Sequence, residues 1–211
     1  MRKTTIIAAV CGAALVGAVG TAAAGPGFQP PRHDQVKAVL PTGQSNPAIA
    51  NGVAVGSKVT TYTASGLGPA AVNVAAPAGS PERYIDFPGG TLPPGVTITE
   101  AQAINVLKQI KENLSAVGLG PSDVISMRAY LSEPPGAATA DFVGWNRAYR
   151  QFFANTDLTT GRPVDVPLGS AAPARPMYVN PSRPSRVTLE IENLPVAGWL
   201  VEVEVVAAWP S

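Results

Sequence analysis

Between Thr99 and Val117 the apolar residues Ala103, Leu107, Ile110, Leu114 and Val117 recur at the interval of one helical face. Thr99-Glu100-Ala101-Gln102 precedes that stripe in the form of a capping box, in which the Thr hydroxyl and the Gln side chain each satisfy an orphan amide, and Gly118 stands as its stop. A second helix is predicted from near Thr139, carrying Phe142, Trp145, Tyr149 and Phe152 at helical spacing. An aromatic stripe of that kind reads as core packing against a sheet rather than as a cofactor box. Strand periodicity marks three other stretches. Asp123 to Leu131 sets Val124, Ser126, Arg128 and Tyr130 against Ile125, Met127, Ala129 and Leu131. Arg186 to Ile191 is a second strand, and Trp199 to Ala208 a third, with Val201, Val203 and Val205 on one face and Glu202 and Glu204 on the other. Val53 to Ala64, rich in Val, Thr and Tyr, reads as a strand or hairpin that ends at Ser65-Gly66. This order of elements predicts an α+β fold with two helices packed on one face of a mixed sheet.

The segments between these elements have their own signatures. Residues 1–24 have a basic start at Arg2 and Lys3, an apolar Ala/Val-rich run from Ile6 to Val19, and small residues at Thr21-Ala22-Ala23-Ala24. That is the pattern of a cleavable export signal, and it predicts a periplasmic or secreted protein. The other reading is a membrane anchor, which the shortness of the run and its interruption by Gly12, Gly17 and Gly20 disfavour. Residues 25–47 form a Pro/Gly-rich arm, predicted to be extended, because proline and glycine at this density disfavour helix and central strand. Residues 48–211 then make one domain, looped from Ala70 to Pro94 and interrupted by a Pro-rich insertion over 156–185 with little periodicity.

Charge and composition remove several functions. Fifteen Lys+Arg face fourteen Asp+Glu for a net charge of +1, and loss of Arg2 and Lys3 with the leader turns this to −1. A near-neutral chain has no electrostatic footprint for nucleic acid or for an anionic membrane. Cys11 is the only cysteine and lies in the leader, so the mature chain has no disulfide, thiol nucleophile or cysteine metal site. His33 is the only histidine and sits in the arm, which argues against a Ser/His/Asp triad or a histidine zinc site. A metal site built on cysteine or histidine is therefore not expected.

Two features remain for chemistry. Arg186 opens a strand after Pro181-Ser182-Arg183-Pro184-Ser185, and a guanidinium fork is the natural receptor for a planar carboxylate. Glu202 and Glu204 share the polar side of a strand, where a carboxylate can orient a water that attacks a C=N or C=O carbon. On spacing alone, a solvated arginine and a wet sheet face explain the same residues.

Longer motifs carry a resemblance. Pro184-Ser185-Arg186-Val187-Thr188-Leu189-Glu190-Ile191, then Leu194-Pro195, then Val201-Glu202-Val203-Glu204-Val205-Val206-Ala207, is similar to the C-terminal signature of the Rid (reactive intermediate deaminase, YjgF-like) family. Asp141-Phe142 with Asn146-Arg147-Ala148-Tyr149-Arg150-Gln151-Phe152-Phe153 resembles that family's second helix. Leu114 to Leu131 and Thr63-Ala64-Ser65-Gly66 resemble its middle strand and its early strand ending in Ser-Gly.

The resemblance implies a chorismate-mutase-like subunit, a homotrimer, and ligand clefts between subunits. It implies hydrolysis of reactive 2-imino acids to 2-oxo acids and ammonia without a cofactor. In that scheme Arg186 clamps the substrate carboxylate and Glu202 positions the water. Ser65 and Gly66 line the cleft, Asn146 sits near it, and Thr188 takes the place of a ligand-contacting cysteine. The alternative is a non-catalytic protein that binds small carboxylates in the same cleft; a structural or interaction protein is a third reading. Some relatives are linked to RNA cleavage, which the neutral charge disfavours here. The chain departs from the family pattern in four places. Asn46-Pro47-Ala48 puts an alanine where many members have a tyrosine, Val187 follows the arginine, the Leu-Pro to Glu202 spacing is longer, and the insertion brings Arg175, Met177, Tyr178 and Arg183.

Overall fold

In the computed structural model the described residues are 28–210, and the expected export signal over residues 1–24 lies outside them. The regular elements are, in chain order, β1 (Val36–Val39), β2 (Gly52–Val55), β3 (Thr61–Thr63), α1 (Ile98–Ser115), β4 (Val124–Leu131), α2 (Phe142–Phe152), β5 (Ser185–Glu190) and β6 (Val201–Ala208). The main sheet has the order β3-β6-β4-β5. The β3/β6 and β6/β4 pairs are antiparallel and β4/β5 is parallel, so the sheet is mixed as expected.

Alternation decides which side of this sheet is covered. Val201, Val203 and Val205 of β6 and Met127, Ala129 and Leu131 of β4 point to one face. They meet Ile104, Leu107, Ile110 and Leu114 of α1 and Trp145, Tyr149 and Phe152 of α2, and none of these side chains is more than 3% exposed. Each contributes about 1.5–3 kcal/mol through burial if it is large and apolar. The alternation fails once, at the start of β4. A register shift between Val124 and Ser126 puts both Val124 and Met127 inside, where strict alternation separates them.

Both helix starts differ from expectation by a few residues. Thr97 caps α1, its hydroxyl accepting from the Glu100 amide at 3.1 Å. Its backbone is extended, so Thr99 already lies within the helix, buried and with its hydroxyl unpaired. The Gln102 amide group bonds Pro81 O, Gly198 O and the Leu200 amide instead of its own helix end. Asp141 caps α2 through the Gly144 amide, so that helix begins at Phe142, which stays partly exposed. The Thr97 hydroxyl also donates to Asp141, which ties the two helix starts together. At the other end of α1, Gly118 has φ +75°, and the Leu119 amide turns back to Leu114 O, the stop foreseen from the sequence. Val117 lies beyond the last helical residue and is exposed.

The arm is more than an extended lead-in. Val36–Val39 pairs antiparallel with Gly52–Val55 as a separate two-stranded sheet. The expected Val53–Ala64 strand is therefore divided: β2 joins the arm and β3 joins the main sheet at β6. Trp199 is also outside its expected strand. It packs edge-on to Tyr84 at 6.4 Å, and β6 starts at Val201.

The 156–185 insertion wraps the helix ends. Val166 pairs with Ala174 in an isolated bridge and is buried, while Gln151 bonds Pro167 O and the Met177 amide. Asn155 and Asn180 form a buried polar knot: Asn180 N donates to Asn155 Oδ1, and Asn180 Nδ2 to Phe152 O. Arg183 is buried and donates to Pro47 O, Thr156 O and Pro181 O, so it fastens the arm and the insertion to the root of β5. Of the insertion residues offered as cleft candidates, Arg175 and Met177 are exposed and Tyr178 packs against the core.

Glu100 explains how this wrapping is held. Its carboxylate is fully buried, takes two hydrogen bonds from Arg147 at 2.9 and 2.6 Å, and accepts the Gly169 amide of the insertion at 3.0 Å. Replacing Arg147 by Ala leaves that buried charge without its cation. The expected loss is about 3–5 kcal/mol, read as a lowered midpoint in denaturant unfolding; a change below about 1 kcal/mol would show that the pair holds little.

Candidate functional site

The pairing registers sort the candidate residues by face. Met127 lies opposite both Arg186 and Val205, and Ala129 lies opposite both Thr188 and Val203. Arg186 and Thr188 therefore share the helix-covered face. Tyr130 lies opposite both Leu189 and Glu202, which places Glu202 on the open face. Within one chain the two residues read as partners point to opposite sides of the sheet.

On the covered side, Arg186, Asn146 and Thr188 are brought together. Arg186 lies near the edge of the sheet under α2, with its guanidinium carbon 4.3 Å from the centre of the Tyr149 ring and 5.8 Å from that of Trp145. Its Nη2 donates to Asn146 Oδ1 at 2.6 Å, and its Nη1 is buried without an acceptor. Among the described residues no carboxylate pairs with it. Burial pulls its proton affinity below that of an ordinary arginine, with Tyr149 partly opposing, yet a guanidinium stays charged at any ordinary pH. Trp145 Nε1 donates to Thr188 Oγ1 at 3.2 Å, which leaves the threonine proton free to point elsewhere. Tyr149 stacks on Phe153 at 5.3 Å, and its hydroxyl donates to Ala48 O at 2.8 Å. The backbone of Ala48 is thus a fixed part of the wall.

On the open side, Ser65, Gly66 and Glu202 form a second group. A side chain on Gly66 would collide with the Glu202 carboxylate, so glycine is what allows the two to lie together. Ser65 beside it is exposed. An open depression of about 660 Å³ begins at Gly66 but leaves this face and runs along α1, past Gly68, Tyr84, Glu112, Asn113 and Trp199. Neither Arg186 nor Glu202 lines it. The rest of this face carries Tyr130, Val206 and the Arg128–Glu204 pair at 3.5 Å, beside Val187 and Leu189, which are 49% and 47% exposed.

With the two groups located, likeness to known proteins can be set beside them. The model of the Endoribonuclease L-PSP family, also called YjgF or Rid, matches residues 90–209, more than half of the chain. The chain belongs to this family. Its mixed sheet with two helices is the YjgF-like fold. Among solved structures, a YjgF-family protein from Neisseria meningitidis is 18% identical, over 85% of this chain and 99% of that one, with a TM-score of 0.39. A YjgF/YER057c/UK114 family member from Mycobacterium tuberculosis is 17% identical over 83% and 100%, with a TM-score of 0.38. Escherichia coli TdcF with bound serine is 20% identical over 82% and 99%, with a TM-score of 0.40. No curated protein matches the chain. Membership in the YjgF/Rid family rests on the match over residues 90–209, not on these distant likenesses.

The motifs name Arg186 and Asn146 but not the aromatic rings that also lie against Arg186. Tyr149 and Trp145 were assigned to the core, which is correct, yet each also presents a ring to Arg186. The signal was available: Asn146 and Tyr149 are neighbours on one helix face, and the face that packs on a sheet meets whatever its edge strand points upward.

Burial of the Tyr149 phenol pushes its pKa up to about 12, against the pull of Arg186, Arg150 and Arg183. A raised acid is protonated in the folded state while already ionised in the unfolded one. Its stabilising contribution is therefore full below pH 10 and is lost as pH rises to about 12, by about 2–3 kcal/mol. Ultraviolet titration of the wild type minus Tyr149→Phe should show a phenolate step near pH 12; a step near pH 10 would mean the ring is solvated.

Proposed function

We propose that the protein hydrolyses small 2-imino acids, anchoring the substrate carboxylate on Arg186 in a cleft completed by a second copy of the chain. One observation carries this reading: a largely desolvated guanidinium, braced by Asn146 and Tyr149, with a buried nitrogen that among the described residues has neither an acceptor nor a counter-charge. Such an arrangement is unfavourable unless an anion completes it, and a carboxylate satisfies paired N–H donors. The Thr188 proton is free to donate to the same ligand.

The chemistry needs a water as well as an anchor. Glu202 supplies a carboxylate beside Gly66, on the opposite face of the sheet. A neighbouring copy would bring its own Gly66 and Glu202 up to this chain's Arg186, which is how a homotrimer would assemble both halves. Val187, Leu189, Tyr130 and Val206 make the open face apolar enough to be covered by such packing. There the carboxylate would take a proton from water as the oxygen adds to the C=N carbon. The tetrahedral aminoalcohol would then expel ammonia as its nitrogen is protonated, leaving a 2-oxo acid. Water is the only co-reactant, and no electron transfer is involved.

The separation of Arg186 from Glu202 within the chain supports a second reading, a protein that binds small carboxylates without turnover. Imino acids generated in place by an amino-acid oxidase separate the two. The first reading expects faster loss of imine with wild type than in buffer, and a fall of about 100-fold with Arg186→Ala. Wild-type decay at the buffer rate, together with a rise in melting temperature on adding a 2-oxo acid, would leave only binding. Light scattering on the wild type should give the mass of three chains, and Leu189→Arg on the open face should lower it. A wild-type monomer would remove the composite cleft.

A further inference from the structure

Arg186 is not the only cation near Tyr149 without a counter-charge. Arg150 and Arg183 also lie close enough to act on the Tyr149 phenol. The three guanidinium groups have different degrees of satisfaction. Arg183 is spent on three carbonyl oxygens, with Asp157 as the nearby acid. Arg150 is half-buried, and among the described residues its side chain makes no hydrogen bond and no ion pair, although its own carbonyl is fixed by Asn155 at 3.0 Å. Burial lowers its proton affinity as it does that of Arg186. Arg150 stands four residues after Asn146 in α2, so the two side chains leave the helix on one stripe, about 5–6 Å apart at Cβ. Asn146 holds Arg186 directly. One stripe thus leads from a guanidinium that lacks an acceptor to a second one whose side chain is also unpaired among the described residues.

We propose that the ligand is a dianion, a 2-oxo or 2-imino dicarboxylate whose near carboxylate meets Arg186 and whose far carboxylate meets Arg150. This rests on the anion-anchoring role of Arg186 and adds to it the chemistry of the other end of the ligand. Two partly buried cations, neither of them ion-paired among the described residues, raise the local potential, so a dianion gains twice where a monoanion gains once. A ligand with an apolar tail would instead cover Arg150 and leave it unpaired, which is the costlier complex.

The test is calorimetric titration of the full chain with 2-oxoglutarate and with 2-oxobutyrate, which share the near carboxylate and differ at the far end. The proposal expects wild type to bind 2-oxoglutarate at least tenfold more tightly. Arg150→Gln should bring that ratio close to one, while Arg150→Lys, which keeps the charge, should retain part of it. Equal wild-type affinities, or an undiminished ratio in Arg150→Gln, would overturn the dicarboxylate assignment and leave the Arg186 anchor standing. If wild type binds neither acid, the anchor itself is wrong and this proposal goes with it.

Discussion

A charge taken out of water must find a partner, and among the described residues the Arg186 guanidinium has only an amide oxygen and, of two aromatic rings, chiefly the face of the nearer one. Everything specific to the candidate site follows from that constraint. The ring belongs to Tyr149, which is held by Phe153 on one side and by the Ala48 carbonyl at its hydroxyl. The amide belongs to Asn146, on the same helix. The strand that presents Arg186 is rooted by Arg183, whose three carbonyl contacts are one from the arm and two from the insertion. An attraction of about 1–2 kcal/mol between a cation and a ring does not offset the lost hydration on its own. The arrangement is therefore a prepared receptor rather than a stabilising pair, and its stability must come from the core beneath it.

That core was the legible part. Periods of 3.6 and 2 depend only on which residues are apolar, so α1, α2, β4 and β6 could be read directly from the chain. What could not be read were features set by contacts distant in sequence. Thr99 fits the capping-box pattern, but Thr97 has extended backbone and takes the cap together with its contact to Asp141. The arm looked unfit for a strand because of its prolines, yet Val36–Val39 lies between them and finds β2 as a partner. Trp199 fits the β6 pattern, but it turns out to pack against Tyr84.

The site was legible as residue types and not as geometry. Motif resemblance put Arg186, Asn146, Thr188, Ser65, Gly66 and Glu202 on one list. The strand registers then divided that list between two faces, since β5 and β6 both read against β4 and a shift of one residue exchanges the faces. The insertion shows the converse. It has almost no periodicity, so nothing in it could be assigned beforehand, yet Gly169, Val166 and Asn180 anchor it firmly to the helices.

The parallel pairing of β5 has a consequence for how the protein tolerates change. Two residues separate the buried Arg183 from Arg186, and Met127 fixes which of Arg186 and Val187 looks inward. Loss of a single residue between Asn180 and Ser185 would turn the aliphatic Val187 toward Tyr149 and send the charged side chain outward, and a gain would put Ser185 there instead. Length in this short connector is thus constrained by mechanics, whatever its composition, and a deletion there would erase the receptor while sparing most of the hydrophobic interior.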